Sequence, residues 1–85
     1  MLKNLLILIL NLLLSYSYLA GQSTQISLQK SDSLGQYHWR NAAYGQALYY
    51  YKKALPLAQE LKDQKWQARI LNYLGIIYEN KGDFE

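Results

Sequence analysis

The sequence predicts an all-α protein built from antiparallel helix-turn-helix hairpins. Apolar residues recur at helical spacing through the second half of the 85-residue chain. The composition also favours helices, because Val is absent, Pro occurs once, and Leu, Ala, Tyr, Gln and Lys are common. The lack of Cys excludes a disulfide framework and a thiol nucleophile. The net charge of +3 is too small for a nucleic-acid footprint, so we expect no nucleic-acid partner.

Residues 1–21 have the layout of a secretory signal peptide. Lys3 supplies the positive charge, Leu5–Leu14 forms an apolar run, and the small residues Ala20 and Gly21 follow. This run is shorter than the roughly 17–25 apolar residues of a transmembrane helix. We therefore expect export to the periplasm or the cell exterior, with only transient contact between the leader and the membrane. The alternative is an uncleaved membrane anchor at residues 5–20.

Residues 22–27 are polar, and we expect them to form a flexible N-terminus of the mature protein. The first helix is predicted to start near Ser27, with Ser27 or Ser31 as its N-cap. Residues 28–85 are then predicted to form a single helical region.

A second predicted helix carries one apolar face, whose members are separated by steps of one and three residues. Pro56 lies inside this pattern and is expected to bend the helix or divide it into two segments. The apolar face consists of Tyr44, Ala47, Leu48, Tyr51, Ala54, Leu55, Ala58 and Leu61.

A third predicted helix has clear signals at both ends. Asp63 is a suitable N-cap, and Gly82 suits the left-handed position that ends many helices. Asp83 would cap a further helix beginning at Phe84. Since Glu85 follows directly, we expect the helical region to be truncated. The predicted buried side comprises Trp66, Ile70, Leu71, Tyr73, Leu74, Ile77 and Tyr78.

A 40-residue internal repeat relates the first predicted helix to the third. The run Leu71-x2-Leu74-Gly75-x2-Tyr78 matches the first half of the tetratricopeptide pattern, with Leu replacing Trp. A weaker copy around Leu34-Gly35 lies one period earlier, and Ala47-x3-Tyr51-x2-Ala54 matches the second half. The chain thus resembles the tetratricopeptide repeat (TPR) family, in a 40-residue variant, over about one and a third repeats. The matching positions are Leu34, Gly35, Ala47, Tyr51, Ala54, Leu71, Leu74, Gly75, Tyr78 and Gly82.

The resemblance implies the start of an α-solenoid, in which small residues let paired helices approach closely. Gly35, Ala47, Ala54 and Gly75 would be those small residues. In the first turn, where the family has Gly-Asp, Asn41 is the expected left-handed residue.

The resemblance also implies a concave groove lined by the first helix of each repeat. Trp39 with Arg40 is the best recognition pair, because Trp and Arg are enriched in binding hot spots. The alternative for Trp39 is packing against the polar N-terminal segment. The groove-facing positions are Gln29, Asp32, Gln36, Trp39, Arg40, Arg69, Asn72, Ile76, Glu79 and Asn80. Of these, the predicted partner-binding residues are Gln36, Trp39, Arg40, Arg69, Asn72 and Glu79.

The sequence predicts no catalytic, cofactor or metal site. His38 is the single histidine, and Asp32, earlier in the same predicted helix, would face another side of it. We therefore expect a non-catalytic exported module that binds protein or peptide, similar to the N-terminal part of bacterial exported TPR proteins. The alternative is the extracytoplasmic input region of a membrane-bound sensor histidine kinase or transcriptional regulator. Its catalytic part would lie outside these residues.

Overall fold

A computed structural model describes residues 1–82 and shows an all-α chain of three helices. Helix α1 spans Leu2–Arg40, α2 spans Tyr44–Glu60 and α3 spans Gln64–Lys81. Short turns reverse the chain direction after α1 and after α2, and α2 packs against both other helices. Helices α1 and α3 therefore run parallel, with α2 antiparallel to each. The predicted cap at Asp83 and the predicted helix start at Phe84 lie outside the described residues.

A left-handed residue follows each of the three helices. After α1 and α2, two backbone N–H groups donate back to carbonyls of the last helical turn, as in a Schellman motif. The left-handed residues are Ala42 (φ 58°), Lys62 (φ 55°) and Gly82 (φ 84°). Ala42 and Lys62 are 20 residues apart along the chain, as are Lys62 and Gly82.

The end signals of α3 are confirmed, whereas the predicted left-handed residue of the first turn was wrong. The Asp63 side chain accepts a hydrogen bond from the Trp66 backbone N–H at 3.1 Å, and Gly82 is left-handed. Asn41 has φ −94°. Its side-chain amide donates to the Tyr37 carbonyl oxygen at 2.7 Å, which ties Asn41 to the last turn of α1 as its C-cap. Ala42 takes the left-handed position instead.

The prediction that the first helix begins near Ser27 was wrong, because α1 begins at Leu2. Residues 22–27, which were predicted to be flexible, are also helical. The chain between Leu2 and Arg40 contains no Pro, the residue that most strongly interrupts a helix. The Thr24 hydroxyl donates to the Ala20 carbonyl oxygen at 3.0 Å, within the helix rather than as a cap. Ser31, one of the two proposed caps, is buried inside the helical body.

The N-terminal half of α1 extends away from the rest of the molecule, and residues 1–20 are exposed throughout. By length and composition this helix could cross a membrane, and an N-terminal signal sequence would pass the same test. The structure thus contains a long apolar N-terminal helix, which is the coarse property that both an exported leader and an anchor require.

The core forms where α2 lies between the other two helices. The apolar face predicted for α2 is the one that packs inward. The helix is continuous through Pro56, so of the two predicted outcomes, a bend or a division into two segments, the division does not occur. Leu71 does not follow the prediction, because its side chain is 55% exposed. The fully or almost fully buried apolar residues are Leu28, Ala47, Leu48, Tyr51, Ala54, Ala58, Ile70 and Ile77.

Candidate binding surface between the first and third helices

An ion pair between Asp32 and Arg69 joins α1 to α3. The Arg69 guanidinium donates from Nε to Asp32 Oδ1 at 3.1 Å and from Nη2 to Asp32 Oδ2 at 3.2 Å. Asp32 is only 7% exposed, whereas the Arg69 side chain is 40% exposed. Two parallel charge-assisted bonds fix both the distance and the orientation of the two groups. The pair therefore sets how α3 lies beside α1.

A ladder of polar side chains continues from this ion pair along α1. Gln36 Nε2 donates to Asp32 Oδ2 at 3.4 Å, and Arg40 Nη2 donates to Gln36 Oε1 at 3.4 Å. These residues are spaced by four, so one helix face carries all three. The ladder places the exposed Arg40 guanidinium at the end of the same surface that holds Arg69.

Aromatic rings surround Arg69. Its guanidinium lies 5.0 Å from the ring centroid of Tyr73 and 5.8 Å from that of Trp66, within the range of cation–π contacts. Tyr73 in turn stacks on Tyr51 with centroids 5.0 Å apart, and Trp39 meets Tyr73 edge-on at 5.7 Å. The rings and the ion pair together hold Arg69 in one position.

The Tyr51 hydroxyl lies beneath this cluster. Within residues 1–82 it is buried and forms no hydrogen bond of normal geometry, although the Asp32 carboxylate lies close enough to act on it. Burial, and next the negative charge of Asp32, raise the pKa of Tyr51 far above its usual value. The hydrogen bond with Asp32 raises the pKa of Arg69, so the guanidinium stays charged. The pair therefore presents a fixed cation at the surface above a neutral phenol.

We call this patch the α1–α3 surface. It brings together four of the six predicted partner-binding residues, and Trp39 packs on Tyr73 of α3 rather than on the polar N-terminal segment. Asn72 and Glu79 are exposed on α3, and in residues 1–82 neither forms a hydrogen bond or ion pair with the patch. The members of the α1–α3 surface are Asp32, Gln36, Trp39, Arg40, Trp66, Arg69 and Tyr73.

The sequence pattern predicted Trp66 and Tyr73 as core residues and not as part of the binding patch. Both are half-buried, with one side against the core and the other against Arg69. The spacing carried a usable signal, because Trp66 lies about one helical turn before Arg69 and Tyr73 about one turn after it. Residues at those spacings share a helix face, and an Arg between two aromatic residues indicates a stacked cation.

His38 points away from the patch. Its ring stacks on Tyr50 of α2, with centroids 5.5 Å apart and planes within 2°, and it meets Tyr37 edge-on. In the described part of the chain, no group of three His, Asp or Glu side chains is placed to hold a metal ion. Comparison of the chain with protein-family profiles, curated proteins and solved structures finds no match.

Proposed function

We propose that the α1–α3 surface binds a protein or peptide and that the chain is a non-catalytic interaction module of the exported TPR type. The observation that carries this proposal is the arrangement of Arg69, held by a buried carboxylate and flanked by Trp66 and Tyr73. Trp and Arg dominate binding hot spots. A side chain already fixed by its own protein loses less conformational entropy when a partner binds.

The chemistry of the patch indicates the kind of segment it would bind. Trp39 and Tyr73 offer half-buried aromatic edges for an apolar side chain, and Arg40 offers an exposed guanidinium for a carboxylate. A cavity of about 300 Å³ beside Arg40 adds room for a side chain, lined by Ser33, Gln36, Tyr37, Arg40 and Asn41. We expect a peptide that combines an apolar residue with an acidic one.

The test is a selection of random peptides on the full chain held in phosphatidylcholine nanodiscs. Binding of the selected peptides would be followed by tryptophan fluorescence, since both tryptophans lie on the α1–α3 surface. We expect Arg40→Ala and Trp39→Ala each to weaken binding by about tenfold or more, which corresponds to about 1.4 kcal/mol. Tyr49→Ala is the matched control, because Tyr49 is an exposed aromatic residue on α2 outside the patch. Peptides that bind Arg40→Ala and Trp39→Ala as tightly as the unmodified chain would refute the proposal.

A sensory input role is the second candidate, and one feature of α1 favours it. The exposed apolar segment and half of the α1–α3 surface belong to one unbroken helix. A retained anchor would couple the binding surface mechanically to the membrane. Sequencing the N-terminus of the mature protein separates the cases, because cleavage near Ala20 or Gly21 would remove this connection. A retained N-terminus with resistance to carbonate extraction would support the anchored form.

A further inference from the structure

A second cavity opens between α1 and α2 and shares no residue with the α1–α3 surface. Its volume is about 340 Å³, within the range of small-molecule sites. Lys30 on α1 and Lys53 on α2 contribute to its wall, although they belong to different helices and are distant in sequence. The other residues that line it are Ser27, Ser31, Leu34 and Tyr50.

The polar groups that line this cavity can all donate hydrogen bonds. They comprise two ammonium groups, two serine hydroxyls and one phenol, and no carboxylate lines the cavity. In the described part of the chain, neither Lys30 nor Lys53 forms an ion pair. Asp32, the neighbouring acidic residue on α1, is engaged by Arg69. The cavity therefore carries two positive charges that the described residues leave uncompensated.

Several of these groups are held in place by the fold. Ser31 is almost fully buried, so the helix packing fixes the position of its side chain while the hydroxyl can still rotate toward an acceptor. The Tyr50 ring stacks on His38 and meets Tyr49 edge-on at 5.1 Å, which sets the ring orientation. The two lysines are exposed and flexible, and can close on a ligand whose position the hydroxyl groups define.

We propose that this cavity binds a phosphate monoester. A phosphate monoester carries a charge of about −1.5 to −2 at neutral pH and three acceptor oxygens, which matches two lysines and a set of hydroxyl donors. A single carboxylate carries one charge and would leave one lysine uncompensated. The rest of the ligand would contact the Leu34 side of the cavity.

Two sources can supply this group, a soluble phosphate ester or the headgroup of a phosphatidic acid lipid. Lys30 follows Ala20 on the same helix, at a distance of about 15 Å along the helix axis. If the apolar part of α1 stays in a bilayer, the cavity lies on the part of the folded helices that is nearest the membrane. The experiment must therefore contain a soluble arm and a lipid arm.

Both arms use the full chain in nanodiscs, observed through the backbone amide NMR signals of residues 27–34 and 50–53. In the soluble arm, glycerol 3-phosphate is titrated into phosphatidylcholine nanodiscs against sodium chloride of equal ionic strength. In the lipid arm, part of the phosphatidylcholine is replaced by phosphatidic acid. We expect saturable shifts at these amides in at least one arm, and the responding arm identifies the source.

The variants separate a built site from general charge attraction. The double variant K30Q/K53Q should weaken binding by tenfold or more, while K62Q/K65Q, with the same net charge, should bind within twofold of the unmodified chain. Ser31→Ala should also weaken binding, without lowering the melting temperature. The proposal is overturned if neither arm responds, if the two double variants behave alike, or if succinate binds as tightly as glycerol 3-phosphate.

Discussion

Two helix faces related by the internal repeat carry the same Leu-Gly pair but are packed very differently. On α1, Gly35 is buried, and a Cβ at this position would lie 2.5 Å from a ring carbon of Tyr51. On α3, Gly75 is exposed, and among the described residues nothing lies within 4 Å of such a Cβ. A small residue in a helix therefore indicates a close helix contact only when a second helix covers that face.

The residues one turn earlier sharpen this difference. Ser31 on α1 is almost completely buried, whereas the equivalent Leu71 on α3 is more than half exposed. The polar member is covered and the apolar member faces solvent, so residue type does not explain the packing. The two positions differ in what lies beside them. Helix α2 covers the face of α1 that carries Ser31 and Gly35, but on α3 it contacts the face that carries Ile70 and Ile77, not the one that carries Leu71 and Gly75.

The largest expected effect on stability comes from replacing Gly35 or Gly75 by Ala, which adds one methyl group at each position. Gly35→Ala should lower the free energy of unfolding by about 1–3 kcal/mol, because the new Cβ displaces the buried Tyr51 ring. Gly75→Ala should raise it by up to about 1 kcal/mol, since Ala is the better helix former and the space is open. Urea titration of the full chain in mild detergent, followed by tryptophan fluorescence, measures both. Equal effects of the same sign would refute the contrast between the two faces.

The second-largest expected effect concerns the ion pair between Asp32 and Arg69, which joins α3 to α1. Arg69→Met should destabilise the protein by about 2 kcal/mol, because it leaves the Asp32 carboxylate buried without its partner. Asp32→Asn should cost less, since the half-exposed Arg69 guanidinium remains accessible to water. The same urea titration compares the two variants. A larger loss for Asp32→Asn than for Arg69→Met would contradict this order, and would indicate that the carboxylate also stabilises the fold through Gln36.

A third effect concerns Tyr51, the residue that fills the space above Gly35. Tyr51→Phe should leave stability at pH 7 unchanged or raise it by about 1 kcal/mol, because the buried hydroxyl forms no hydrogen bond of normal geometry in residues 1–82. A loss of more than about 1 kcal/mol would show that the hydroxyl is hydrogen-bonded.

The pH dependence of this variant gives a second measurement. Because the pKa of Tyr51 is raised in the fold, the unfolded chain releases this proton first as pH increases past about 10. The unfolded state then binds fewer protons than the native state, so the free energy of unfolding falls with rising pH. The unmodified chain should lose up to about 1.4 kcal/mol per pH unit above about pH 10 relative to Tyr51→Phe. Parallel stability curves for the two proteins would contradict the raised pKa.

Local sequence signals predicted much of this fold because they depend on neighbouring residues alone. The apolar period of α2, the cap at Asp63 and the left-handed Gly82 are all of this kind. The start of α1 was missed because the serines before Leu28 are compatible with either a cap or a continuing helix. The exposure of Leu71 and Gly75 was missed because burial depends on a neighbouring helix, which the local pattern does not specify.

The candidate binding surface was predicted in part for the same reason. Arg40 and Arg69 stood out as cations on predicted groove positions, and both lie on the α1–α3 surface. Tyr73 was assigned to the core because its spacing fits a buried face, and it is indeed half-buried there. Tyr73 contacts both the core and the Arg69 guanidinium. The helical periodicity of apolar residues indicates the core contact but gives no information on the contact with the cation.

The smallest expected effect concerns the left-handed residues that follow the three helices. Ala42 and Lys62 adopt left-handed φ values that cost a non-Gly residue about 1–2 kcal/mol, whereas Gly82 already occupies the third such position. Ala42→Gly and Lys62→Gly should each raise stability by about 0.5–1 kcal/mol, because part of the relieved strain is offset by the greater chain entropy of glycine. Gly82→Ala should lower stability by a similar amount. If urea titration shows losses for Ala42→Gly and Lys62→Gly, the left-handed conformation at these two positions would be contradicted.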